Sequence, residues 1–238
     1  YGGEGNDVVL LGDSHASSLA TALQAALPDD HSGLLTYMYR ACPTMRNVQM
    51  MEAKNKGCPT FNDWAFAQVH ALPNDIPVVI VNRLSRHLVG EGEDGLPSIY
   101  FGDRISEVDD EFLVAVERSL LASYCELSTR RMIYVVKPLP EMPYDVPRYM
   151  SRAAMSGRDA RVGITISSYL ERHNFVLRVL DKAVQKCGIR LLDPLPYLCK
   201  SETCLGDSDG RPRYFDDNHL SEFGNKLLIP MFKQVFEH

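Results

Sequence analysis

Short apolar runs alternate along this chain with longer stretches in which apolar residues recur every three or four positions. Asp7-Val8-Val9-Leu10-Leu11 is almost wholly apolar and is closed by Gly12, the pattern of a strand buried on both faces. Leu34 to Tyr39 reads as a second strand, and Pro77-Val78-Val79-Ile80-Val81, dense in β-branched residues, as a third. Arg131 to Val136 gives a fourth, ended by Lys137-Pro138, and Ile189 to Leu192 a fifth, ended by Asp193-Pro194. Helical spacing fills the intervals. From Ser17 to Leu27, Leu19, Leu23, Ala26 and Leu27 share one side before Pro28 stops the segment. Further helices are predicted near Asn62–Leu72, Asp109–Glu126 and Ser167–Lys186, with an amphipathic segment from Ser221 to Phe236. Strands alternating with helices predict an α/β fold: a three-layer, doubly wound sandwich around a mostly parallel five-stranded sheet, in one domain over residues 1–238. Ligands of such sheets bind beyond the carboxyl ends of the strands, which directs attention to the residues just past each run.

Two long segments interrupt the alternation and are expected as loops. Leu88 to Arg104 is rich in Gly and acidic residues; Pro138 to Gly163 carries four prolines and then Arg148, Arg152, Arg158 and Arg161. Segments of this length are either solvated insertions or functional, and the arginines are candidates to line a groove for acidic or polar sugars.

Composition narrows the function classes. With 45% hydrophobic residues in 238, the chain can build a real core without staples. A net charge of -6 with dispersed basic residues argues against a nucleic-acid partner or an anionic membrane surface. No apolar run approaches the roughly 18 residues of a membrane span. The opening Tyr1-Gly2-Gly3-Glu4-Gly5-Asn6 has neither a basic nor an apolar leader region, so a trimmed fragment or a processed chain is expected. Six cysteines at 42, 58, 125, 187, 199 and 204 form no CxxC pair, which disfavours zinc. Their spacing suggests Cys42–Cys58 and Cys199–Cys204 disulfides in an oxidising compartment, with Cys125 and Cys187 a weaker third pair; the alternative is six free thiols in a cytosolic enzyme.

The chemistry concentrates in two blocks. Leu11-Gly12-Asp13-Ser14-His15 lies at a strand-to-helix turn, where a hydroxyl is exposed beside a helix N-terminus able to stabilise an oxyanion. Taken alone, Asp and Ser there also describe an ordinary helix cap. About two hundred residues later, Asp216-Asp217-Asn218-His219 supplies an imidazole and a carboxylate three positions apart, the pair a serine nucleophile requires. A surface turn histidine is the bland alternative for His219, but the two blocks together are far more specific.

Gly12-Asp13-Ser14 with Asp216-x-x-His219 resembles the SGNH/GDSL hydrolase superfamily. Leu10 to Ala16, Ala41-Cys42-Pro43, Lys137 to Pro143, and Cys199…Cys204 leading into Tyr214 to Ser221 extend the likeness to the periplasmic SGNH domain fused to acyltransferase-three membrane proteins, O-acetyltransferases of bacterial surface polysaccharides such as lipopolysaccharide O-antigen. The resemblance implies an SGNH/flavodoxin-like fold, Ser14 as nucleophile, His219 as general base and acid, and Asp216 orienting the imidazole, with Asp217 its competitor. It implies an oxyanion hole from the Ser14 N–H, a backbone N–H at Ala41 or its neighbour in place of the family glycine, and an Asn side chain. Asn82 is the candidate for the last, with Arg83 the alternative, because the usual Gly-x-Asn-Asp block is absent. No metal or cofactor is expected in this domain. The acyl donor is expected from a fused acyltransferase membrane domain, the acceptor is a polysaccharide or oligosaccharide, and the location is periplasmic or extracytoplasmic, tethered to the inner membrane. Two other readings stay open: an extracytoplasmic carbohydrate acetylesterase, and a non-catalytic glycan-binding module.

Overall fold

The structure, a computed structural model, describes residues 3, 5–89, 96–104, 107–158 and 161–237. The first half runs β1 (Val8–Gly12), α1 (Ser14–Gln24), β2 (Leu34–Met38), β3 (Gln49–Met50), a 3₁₀ turn (Ala53–Asn55) and α2 (Cys58–Ala71). There follow β4 (Val78–Val81), α3 (Leu84–Val89), β5 (Ile99–Tyr100), α4 (Asp110–Ser128) and β6 (Ile133–Val136). The rest is α5 (Val146–Met155), β7 (Gly163–Thr165), α6 (Ile166–Cys187), β8 (Arg190–Leu192) and α7 (Leu195–Leu198), then four strands of two or three residues: β9 (Cys199–Lys200), β10 (Thr203–Leu205), β11 (Asp207–Ser208) and β12 (Arg211–Pro212). α8 (Glu222–Asn225), a 3₁₀ turn (Lys226–Leu228) and α9 (Ile229–Lys233) complete it.

The five predicted strands form one sheet, in the order β2-β1-β4-β6-β8, with every pair parallel. All five residues of β1 and all four of β4 and of β6 are buried, which explains why these central strands read as apolar runs rather than alternating ones. Alternate side chains serve opposite layers. Val9, Leu11, Val78 and Ile80 pack with Phe66, Val116, Tyr124 and Val176 from α2, α4 and α6. Val8, Leu10, Val79 and Val81 pack with Leu19 and Leu23 of α1 and Met231 and Phe232 of α9. Each such fully buried side chain contributes on the order of 1.5–3 kcal/mol over exposure.

Three expectations need correction. Helix α1 begins at Ser14, three residues before the predicted start, because Asp13 caps it. The Pro138–Gly163 segment is not all loop: Asp145 accepts from the Arg148 N–H and Pro147 sits in the first turn of α5, where a missing N–H costs nothing. The final amphipathic segment is broken into two short helices joined by a 3₁₀ turn, since Pro230 cannot donate the N–H that a continuous helix would need there. Of Leu88 to Arg104, the ends join α3 and β5, the latter pairing with β3, while residues 90–95 lie outside the described residues. All six cysteines are bonded, as Cys42–Cys58, Cys199–Cys204 and Cys125–Cys187; the last ties the C-terminal ends of α4 and α6. Among the described residues no helix is long and apolar enough to cross a membrane.

Candidate active site

Strand β1 delivers Ser14 to the edge of the sheet through a turn that only glycine permits. Gly12 has φ +157°, and a Cβ there would run into the Val81 carbonyl oxygen of the neighbouring strand. Asp13 then does two things with one carboxylate. One oxygen accepts the His15 N–H at 2.8 Å, capping α1, and the other accepts the Arg83 N–H at 2.8 Å, tying the exit of β4 to the same turn. Ser14 is thereby held as the first residue of α1, where backbone N–H groups lack intrahelical acceptors.

The opposite wall is a tight turn closed by the Phe215 N–H to the His219 carbonyl (2.8 Å) and the Tyr214–Leu220 bridge. Asp216 Oδ1 accepts the N–H groups of Asn218 (2.8 Å) and His219 (2.7 Å), while Oδ2 lies 2.7 Å from His219 Nδ1. Burial alone would raise the Asp216 pKa, but the hydrogen bonds from the His219 ring and from the two backbone N–H groups outweigh it and hold the carboxyl well below its ordinary range. An ionised carboxylate only accepts, so Nδ1 carries the proton and the Nε2 lone pair is left facing Ser14 Oγ at 2.8 Å. The hydroxyl therefore donates to the imidazole, the alignment needed to deprotonate it on attack. Of the two carboxylates considered for this position, Asp216 takes it; Asp217 instead accepts from Asn218 Nδ2 at 2.9 Å.

Three supports were not evident from the sequence. His15, the residue after Ser14, is buried and its ring sits edge-on to that of His219 at 4.8 Å. Burial lowers its pKa, an effect that Asp13 opposes and the neighbouring His219 reinforces, so it is neutral. Because Asn218 Nδ2 faces Asp217, its Oδ1 accepts from His15 Nε2 at 3.0 Å. The segment before α5 forms the second support: the Met142 N–H reaches the Asp217 carbonyl (2.6 Å) and the Val146 N–H the Asp216 carbonyl (3.1 Å). Third, Glu141 accepts from Arg83 (2.8 Å) and Arg172 (2.7 Å) through one carboxylate oxygen. Burial would raise the Glu141 pKa, and the two guanidiniums overcome it and pull it down to about 2.

Ser14 and His219 open into a polar cleft of about 650 Å³. Ala41 lines it with φ +53°, a left-handed conformation that favours glycine. Asn82 does not line it. Its Oδ1 accepts the Thr44 N–H at 3.1 Å and its Nδ2 points at the Cys42 carbonyl at 3.4 Å, so the buried amide holds the turn that carries Ala41. Arg83, the alternative, does line the cleft, with Arg40, Arg86 and Arg172. None of the arginines at 148, 152, 158 or 161 is among the lining residues; α5 carries that stretch to another face, where Arg158 and Arg161 border a separate hollow. A second serine–imidazole pair, Ser85 Oγ to His173 Nδ1 at 2.7 Å, is buried, and neither residue is among those that line the cleft. Among the described residues no His, Cys, Asp and Glu cluster could hold a metal ion.

A family model described as "SGNH domain (fused to AT3 domains)" matches residues 1–234. No curated protein matches the sequence. Among solved structures, the periplasmic domain of a lipopolysaccharide acetyltransferase from Salmonella ser. Paratyphi A superposes with a TM-score of 0.72 at 15% identity, over 98% of this chain and 85% of that one. A carbohydrate acetylesterase from Sinorhizobium meliloti gives 0.54 at 13% identity, over 97% and 99%. A lipolytic G-D-S-L family protein from Veillonella parvula gives 0.53 at 15%, over 96% and 97%. Identities this low carry the fold and not the reaction.

Proposed function

This chain belongs to the family of SGNH domains fused to AT3 domains, and from that premise we propose that it is a serine-dependent O-acyltransferase acting on a bacterial surface polysaccharide, such as lipopolysaccharide O-antigen. The observation that carries the reading is the unbroken hydrogen-bonded series Ser14 Oγ, His219, Asp216 at 2.8 and 2.7 Å, open to a polar cleft. Ser14 Oγ attacks the acyl carbonyl while its proton passes to His219 Nε2. The tetrahedral intermediate collapses, the bond to the donor oxygen breaks, and His219 returns the proton to that leaving oxygen, giving an acyl-serine. An acceptor hydroxyl then gives its proton to His219 and attacks the acyl-serine; collapse releases the new ester and returns the proton to Ser14. Asp216 stays ionised throughout and stabilises the imidazolium. The backbone N–H groups of Ser14 and Ala41 are the proposed oxyanion donors, each of a kind whose loss costs about 3–4 kcal/mol of transition-state stabilisation. Asn82 serves by shaping the Ala41 turn.

A sugar acceptor is favoured by exposed rings beside the Asp216 turn. Phe215 precedes Asp216 and is 75% exposed. Tyr144, in the strap that hydrogen-bonds the turn, is 58% exposed and stacks on Tyr149 at 5.2 Å. Such faces suit the apolar sides of pyranose rings. The Salmonella neighbour acts in lipopolysaccharide acetylation, and three disulfides fit an extracytoplasmic site. In the full protein a fused membrane domain would hand over the acyl group, and no cofactor is required here.

The test is turnover of a chromogenic acetyl ester by the wild type and by Ser14→Ala, followed by turnover with an acceptor oligosaccharide present. Loss of activity in the variant with acetylated sugar as product is expected. Acetate alone would reassign the domain as a carbohydrate acetylesterase, and equal rates in both proteins would leave only a glycan-binding module.

A further inference from the structure

The hollow bordered by Arg158 and Arg161 has a volume of about 380 Å³, within the range of small-ligand sites. A hairpin builds one of its walls. Asp209 and Gly210, at φ +51° and +75°, form the tight left-handed turn that pairs β11 with β12, Asp207 lying opposite Pro212. The Gly206 N–H to the Val162 carbonyl (2.7 Å) and the Arg213 N–H to the Gly206 carbonyl (2.8 Å) tie down the base of this hairpin. Asp207 is thereby held in the wall of the hollow, 5% exposed, and its Oδ1 has no hydrogen-bond partner among the described residues. Arg158 and Arg161 are exposed and, among the described residues, close no ion pair onto it. A buried acceptor without a donor costs stability, which points to a ligand that supplies one.

The remaining lining selects the kind of ligand. A simple anion suits the two guanidiniums and is repelled by Asp207; a simple cation suits Asp207 and is repelled by the guanidiniums. A neutral molecule rich in hydroxyls suits both, since each hydroxyl can donate to the carboxyl and accept from a guanidinium. Ser151 adds an acceptor, because its own hydroxyl donates to the Pro147 carbonyl at 2.8 Å and leaves its lone pairs free. Met150 and Pro212 supply apolar surface for the C–H face of a ring. We propose that this hollow is a second glycan site, taking a neutral sugar unit that donates a hydroxyl to the Asp207 carboxyl. The chemistry of the hollow stands on its own residues; only the assignment of that sugar to the acceptor glycan rests on the function argued above. Its placement suits a further unit of that glycan. Helix α5 borders the hollow, and the Val146 N–H at its start holds the Asp216 carbonyl at 3.1 Å.

The test follows amide shifts of nitrogen-15-labelled protein titrated with the methyl glycosides of glucose, mannose, galactose and rhamnose. Inorganic phosphate and putrescine are titrated beside them as a simple anion and a simple cation. At least one glycoside is expected to move the amides of Asp207, Gly210 and Ser151, with a Kd in the millimolar range of a single sugar ring. Asp207→Asn, which removes the uncompensated carboxyl, is expected to weaken that glycoside about tenfold while melting no lower than the wild type. Should that variant melt lower, Arg158→Ala with Arg161→Ala, both at exposed positions, carries the test with the same expected loss. Three results overturn the proposal: no shifts with any sugar, so that water alone answers Asp207; shifts with phosphate or putrescine only; or unchanged affinity in the variants. Amides of residues 13–15 and 216–219 report the Ser14 cleft separately. An enzyme inert towards the small ester whose hollow still takes sugar sinks the acyl-transfer reading and spares this site; an active enzyme with a silent hollow does the reverse.

Discussion

His15 is not among the residues that line the cleft, yet it stands behind the imidazole proposed to move the proton. Its Nε2–H holds Asn218, whose amide in turn holds Asp217, and its ring fills the space beside His219. Being neutral, it adds no charge to oppose the imidazolium of the proposed attack. His15→Ala is expected to lower kcat on a small acetyl ester by about tenfold or more with KM little changed, since only a misplaced base is at issue. His15→Gln, which keeps an N–H donor at similar reach, should recover most of the loss. Equal defects in the two variants, or a defect in KM alone, would reject the positioning role. Glu141 gives a prediction of a different sort. Its folded pKa lies below the unfolded value of about 4.3, so the stability it contributes is full above that value and is lost as the pH falls towards about 2. Urea midpoints followed from pH 5 to 2.5 should show this decline in the wild type and a shallower one in Glu141→Gln. At neutral pH that variant should be less stable by about 3 kcal/mol, the usual result of removing one partner of a buried ion pair. Parallel acid profiles would contradict it.

Elements differ in how much of themselves the sequence displays, and the reason is burial. The inner strands β1, β4 and β6 are covered on both faces, so they appear as apolar runs, and α2, α4 and α6 pack one side against the sheet and show the 3.6-residue period. Strands β3, β5, β7 and β9 to β12 are two or three residues long, too short to hold any period. Helix α5 was hidden by its prolines: Pro138, Pro140 and Pro143 end one element, but Pro147 begins another, and only the Asp145 cap separates the two meanings. The site divides along the same line. Ser14, Asp216 and His219 stand in compact blocks whose residue types state their chemistry. Arg83, Glu141 and Arg172 come from three separate elements, and nothing local to any of them announces the contact. The third disulfide was the least evident for this reason as well, since Cys125 and Cys187 lie 62 residues apart. That separation makes it the most stabilising in the chain-entropy picture, about 4 kcal/mol against about 2 kcal/mol for the short Cys199–Cys204 loop. The double variant Cys125→Ser, Cys187→Ser should therefore show the larger fall in denaturation midpoint while turning over ester normally, because α4 and α6 are bridged at ends that do not line the cleft. An order reversed between this variant and the double variant Cys199→Ser, Cys204→Ser would show that residual structure in the unfolded chain, not loop length, governs these bridges.

At the scale of the molecule, the sheet order explains where the cleft opens. The chain steps from β1 to β2 on one side and returns to β4 on the other, so the turns after these strands diverge and leave a crevice above β1. Ser14 follows β1, Ala41 follows β2 and Arg83 follows β4; one crevice collects all three. His219 reaches Ser14 from 205 residues away in the chain, and this long-range contact needs its own anchor. Asn225 provides it: its buried Nδ2 donates to the Ser18 carbonyl and to Thr21 Oγ1, both at 2.8 Å, while Thr21 donates to Glu222 at 2.9 Å. These bonds bind α8 to α1, so the helix that carries Ser14 also fixes the segment just after His219. Asn225→Ala strips one bond to backbone and one to a side chain from a buried position and should cost about 1–3 kcal/mol of stability. Its more specific consequence is kinetic. With the α8 anchor loosened, His219 samples positions away from Ser14, so kcat should fall while amides 214–222 exchange hydrogen faster than those of the central sheet. A variant that loses stability uniformly, with exchange raised equally in β1 and β4 and with kcat intact, would show that the two distant blocks meet through the core alone.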